Sequence, residues 1–179
     1  MTRKGCSSAA SRVSPPNASL ARRYAALGYE SLVIAAISLL AGFTSARRLG
    51  VVSAAAPVLT LPGVAERSLS ATLVFALTGL YCVWSWSGGR RTLPMKTWRL
   101  ILVHGDGAAL DAKTAVVRYL AAWIGPLAAL SAYAVLRSGG WGAHAVWLVA
   151  LNFVWAFVDP GRQFLHDRIA GTRLVDEPR

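Results

Sequence analysis

The chain has 179 residues, of which 55% are hydrophobic and only 15% charged, with mean hydropathy +0.46 and a formal net charge of +11. A soluble domain carries about 25% charged residues, so this composition excludes an ordinary water-soluble fold and points to a polytopic membrane protein. The basic excess suits a face set against anionic lipid headgroups; no basic helix with interleaved aromatics speaks for nucleic acid.

Residues 1–20 are rich in Ser, Ala and Pro and read as a mobile cytoplasmic tail. They lack the apolar core of a secretory signal, so nothing there reads as removable. Asn17-Ala18-Ser19 is a chance match to a glycosylation sequon on the inner face. A first span is expected over about residues 24–44, in a run whose only charge is Glu30. The neutral stretch Leu49 to Ala65 is broken by Pro57 and Pro62 and reads as an external loop, dipping at most into the interface. A second span is expected over 69–86, with Tyr81, Trp84 and Trp86 at its inner end, where amphipathic rings favour the headgroup level. Cys82 falls in this span and Cys6 in the polar tail, so the two do not form a disulfide.

The next polar stretch is the most structured one. Arg99 to Val103 is short, apolar and branched, and His104-Gly105-Asp106-Gly107 follows as a turn signal. Asp111 is placed to cap a helix opening at Ala112. A third span is expected over 117–136, kinked at Pro126, and a fourth over 143–158, stopped by Asp159-Pro160. Bilayer-crossing helices need about 20 mostly apolar residues. The expected fold is therefore an all-α membrane protein: a four-transmembrane-helix bundle over 21–175, with a short structured cytoplasmic loop between helices 2 and 3 and a tail at 176–179. Orientation follows from Lys and Arg, which concentrate on cytoplasmic loops. With both termini inside, 15 of the 19 Lys and Arg residues lie on the inner side.

Glu30 is the residue that needs explaining. An ionised carboxylate near a helix centre costs about 2.5–3.5 kcal/mol on insertion scales. Eight strong apolar residues in the same span, at about 0.3–0.6 kcal/mol each, offset that cost. Arg23 lies seven residues earlier and points the same way, about 10.5 Å along the axis. A third group is needed to fill that gap, and Asp159 and Asp167 both return to the same membrane surface. The expected charged cluster is Arg23, Glu30 and Asp167, with Asp159, His166 and Lys96 as secondary candidates. Three histidines on separate segments do not make a metal site, and no G-x-S-x-G motif signals hydrolysis. Neither enzymatic chemistry nor a cofactor is expected.

Three stretches also carry a resemblance. "RRYAALGYE" resembles the R-x-x-A-x-x-x-D opening of the RDD family of small bacterial membrane proteins. "RRTLPMKTWRLILVHGDG" is similar to that family's Q-T-L-G-K loop, with its strand and acidic-glycine turn. "RQFLHDRIAGTRLV" is similar to its closing H-D-R-x-A-G-T. The resemblance places the family's arginine at Arg23 and its acidic residues at Glu30 and Asp167. It departs from the pattern at Glu30 (Asp in the family), Arg91 (Gln) and Pro94 (Gly). It implies placement in a bacterial inner membrane and a transport role, with cation/proton antiport reported for some members.

Two readings follow. One is a small proton-coupled ion or solute transporter with Glu30 as the titrating group. The alternative is a membrane scaffold or accessory subunit, in which the charged cluster only fastens helices and the basic inner loop docks another membrane protein. Four short spans leave little room for a pathway in one copy, so a homo-oligomer is a further expectation.

Overall fold

Long apolar runs build most of the chain as helix. In a computed structural model, residues 17–48 and 63–177 are described. Of the tail expected over 1–20, residues 1–16 with Cys6 lie outside the described residues, as do residues 49–62 of the loop expected over 49–65; Val64 and Ala65 already belong to the second helix. Helix α1 (Leu20–Arg48) and helix α2 (Val64–Trp86) pack side by side. Helix α4 (Ala112–Ala122) and helix α5 (Ile124–Leu136) follow one another across a break at Trp123. Three stretches are long and apolar enough to cross a membrane: Leu20–Phe43, Val64–Gly89 and Ala112–Gly139. Their outward faces carry Leu32, Leu39, Leu80, Trp84 and Leu130 in the open, a pattern that suits lipid rather than water.

The fourth apolar segment, Gly142–Phe157, is shorter and differently wound. Gly142–Ala150 and Trp155–Phe157 are 3-10 helix, with only helix α6 (Leu151–Val154) between them in α form. It packs tightly on α5, and glycine makes that possible. A Cβ on Gly125 would sit 2.8 Å from the Val149 carbonyl oxygen and 2.9 Å from that of Leu148. The next residue, Pro126, has no N–H to give the Ala122 carbonyl. The Asn152 side chain supplies the missing donor, Nδ2 to that oxygen at 2.7 Å. The kink expected at Pro126 thus comes with a partner on the neighbouring helix.

One end of the bundle holds the polar structure, and here the fold departs from an all-helical expectation. Strand β1 (Leu100–His104) pairs antiparallel with strand β2 (Thr172–Asp176), from Leu100 opposite Asp176 to His104 opposite Thr172. The 104–107 turn closes as expected, with Gly107 at φ 91° and its N–H on the His104 carbonyl. Asp111 caps α4 by accepting from the Thr114 N–H at 3.2 Å. Helix α3 (Leu93–Thr97) and helix α7 (Leu165–Ile169) flank the sheet. The start of the described chain joins the same end: the Ala18 N–H donates to the Leu174 carbonyl, and Arg22 pairs with Asp176. Leu100, Leu102, Leu110 and Leu174 are buried beneath Trp86 and Tyr119, so the core lies where sheet and helices meet.

Candidate functional site

Capped at Asp111, α4 carries Arg118 two turns inward, where it is buried. Its guanidinium lies over the Trp86 ring, 4.1 Å from the centroid. Its Nε donates to Asp167 Oδ1 at 2.7 Å. Asp167 is wholly buried on α7 and also accepts from the Thr172 hydroxyl at 3.3 Å. Burial alone would raise the Asp167 carboxyl, but the charge and hydrogen bond of Arg118, together with His166 and Arg23, outweigh it and hold the group below the usual carboxylate range. Arg118 Nη2 also stands 3.4 Å from His166 Nε2. Arginine only donates, which makes Nε2 the acceptor and puts the imidazole proton on Nδ1. Burial pushes the His166 pKa down to about 4, against the pull of Asp167, so the ring is neutral at physiological pH.

On the facing helix, Arg23 is 2% exposed. Its Nη2 donates to the Arg162 carbonyl and its guanidinium stands 5.3 Å from the Phe164 ring centroid, while Nε and Nη1 have no partner. Arg162 holds φ 50°, a left-handed conformation uncommon outside glycine. Strained backbone of this kind persists where surrounding structure over-determines it, here in the turn that aims a carbonyl at Arg23. Glu30, two turns further along α1, accepts from the Thr92 hydroxyl at 2.7 Å through Oε2. Thr92 also caps α3, where Pro94 falls in the first turn and its missing N–H costs nothing. Glu30 Oε1 is buried and unpartnered, with the Tyr81 hydroxyl nearby but not in a well-formed hydrogen bond.

These groups surround one cavity of about 230 Å³. Arg23, Glu30, Arg118 and His166 line it together with Thr78 and Trp86, and its remaining wall is apolar. The Thr78 hydroxyl, Trp86 Nε1 and His166 Nδ1 are buried there without partners. The arrangement combines two buried permanent cations, a half-buried carboxylate and unpartnered donors.

The order of these residues along the chain follows a known pattern, and the model of the RDD family matches residues 17–171. The chain belongs to the RDD family. No curated protein and no solved structure matches it. Across that match, this RDD-family protein brings Arg23, Glu30 and His166 to one cavity, with Asp167 directly behind. The expected pairing needs one correction. The cation bonded to Asp167 is Arg118; Arg23 senses the charges of Asp167 and Asp159 without touching either. Asp159 secures the turn instead, accepting from the Gln163 N–H at 3.0 Å with Arg168 3.8 Å away. Lys96 is exposed on α3 and takes no part. Sequence reasoning missed Arg118, Thr92 and Trp86. The available signal was an arginine seven residues inside a capped helix that leads directly into an apolar run.

Proposed function

We propose that this RDD-family protein is a four-span transport protein of the bacterial inner membrane, with both termini cytoplasmic, in which Glu30 carries a proton into and out of the cavity. The observation that carries the reading is the Glu30 carboxylate itself. It is set in a membrane-crossing helix, with one oxygen anchored by Thr92 and the other buried, near the Tyr81 hydroxyl but outside hydrogen-bond geometry, on a residue that lines the cavity. A carboxylate that only fastens helices is expected to have both oxygens engaged; an intramembrane acid facing a cavity is the usual device for moving protons.

The four-span topology has two supports. Residues 17–18 and strand β2 meet at one end of the bundle, which calls for an even number of crossings. The fourth helix is short in residues but not in reach. At about 2.0 Å per 3-10 residue and 1.5 Å per α residue, its 9, 4 and 3 residues extend about 30 Å, the thickness of the hydrocarbon core. The inner end is the basic one, with Arg90, Arg91, Lys96 and Arg99 in a single loop facing anionic headgroups.

Purified protein in proteoliposomes under an imposed pH gradient tests the function. Wild type should pass protons, Glu30→Gln should fold yet pass none, and Glu30→Asp should retain part of the flux. A folded, fully active Glu30→Gln protein would remove the transport reading and leave a membrane scaffold.

A further inference from the structure

Arg23 is the buried charge that the proton reading does not use. Among the described residues it makes no contact ion pair, and two of its three guanidinium nitrogens have no partner. Glu30 can shed its charge by taking a proton, whereas arginine cannot, so Arg23 is a permanent cation waiting for an anion. The unpartnered donors on the residues lining the cavity are Arg23 Nε and Nη1, the Thr78 hydroxyl, Trp86 Nε1 and His166 Nδ1. Such a donor set suits an anion's oxygens. The rest of the lining is apolar and aromatic, including Trp123, Phe153 and Phe164. An apolar cavity of about 150 Å³ holds benzene; 230 Å³ leaves room for a ring of that size carrying a carboxylate.

We infer that the cavity binds a small monocarboxylate with an apolar body, its carboxylate on Arg23 and its body against the aromatic wall. This deepens the proton-transport reading and rests on it for the coupling. The charges of the protein's own residues are balanced here, with Arg23 and Arg118 against Glu30 and Asp167, while Asp159 has Arg168 beside it. An arriving carboxylate adds one negative charge. The groups facing Glu30 are Arg118, Tyr81 and Cys82, with Thr92 as its hydrogen-bond donor. Of the carboxylates, Asp167 is fixed by its bond to Arg118, so the proton that restores balance goes to Glu30. The load is then neutral overall: one carboxylate with one proton.

The test is calorimetric titration of the full chain in lipid nanodiscs with benzoate, benzamide and benzylammonium. Benzoate should bind about tenfold or more tighter than benzamide, the worth of one hydrogen bond to a charged group, and benzylammonium should not bind. Arg23→Gln should remove the preference for benzoate over benzamide. Ala26→Leu keeps every charge but fills the cavity, and should abolish benzoate binding. Repeating the titration in buffers of different ionisation heat should show close to one proton taken up per benzoate, and none in Glu30→Gln. Equal affinity for benzoate and benzamide, a preference for benzylammonium, or undiminished binding by Ala26→Leu would each overturn the carboxylate site. Proton flux through Glu30 without benzoate binding would leave transport standing and remove this site; benzoate binding without proton uptake would do the reverse.

Discussion

Replacing Arg118 by Met keeps an unbranched stem against Trp86 and removes the charge beside Asp167. The two side chains are 5% and 0% exposed, so water cannot replace the lost partner. At 2.7 Å and an effective dielectric of about 20, the attraction is about 6 kcal/mol. Desolvation reduces what is measured, and stripping one partner from a buried pair costs about 3–5 kcal/mol. Loss of the cation–π contact with Trp86 falls inside that range. Adding Asp167→Asn removes the stranded charge while keeping an acceptor for Thr172. The double variant should therefore recover about 2 kcal/mol of the loss. Arg23→Met combined with Asp167→Asn should show a smaller coupling, because those two groups interact through space without touching. Equilibrium unfolding in mixed micelles gives both cycles. Stronger coupling of Asp167 to Arg23 than to Arg118 would refute the assignment.

Other outcomes follow from the packing. Gly125→Ala forces a Cβ into two backbone carbonyls and should cost about 1–3 kcal/mol. Gly28→Ala meets nothing within 4 Å and should stabilise α1 by up to about 1 kcal/mol. The His166 pKa is lower folded, about 4, than unfolded, 6.5, so the unfolded chain binds more protons between these values. Stability should be full above pH 6.5 and fall as pH drops towards 4; His166→Asn should flatten that slope in thermal melts. A reporter after Arg179 should read as cytoplasmic and one between Pro57 and Pro62 as external, and finding both on one side would contradict four spans.

Local signals in the sequence translated into structure where local physics governs them. Glu30 stood out because its neighbours are apolar, and Asp111 because a capping residue before a helix has one role. The break near Pro126 was legible from the missing N–H, but its remedy by Asn152 depends on a helix 26 residues away. Strand β2 was hidden because a five-residue strand gains its meaning from β1, about seventy residues earlier. Arg118 was hidden for a different reason. It closes a basic loop, where charge reads as a marker of orientation, and only the return of α7 places Asp167 against it. The pairing of Arg23 with the Arg162 carbonyl depends on a left-handed residue that no sequence rule requires there.

The central claim is that the Glu30 carboxyl gains and loses a proton within the folded protein. Infrared difference spectra between about pH 5 and pH 9, assigned with Glu30→Gln, observe that carboxyl directly through the stretch of its protonated form. The account predicts a protonated-carboxyl band at low pH that disappears as pH rises and is missing from Glu30→Gln. A Glu30 that stays ionised, or stays protonated, across the whole range would contradict it.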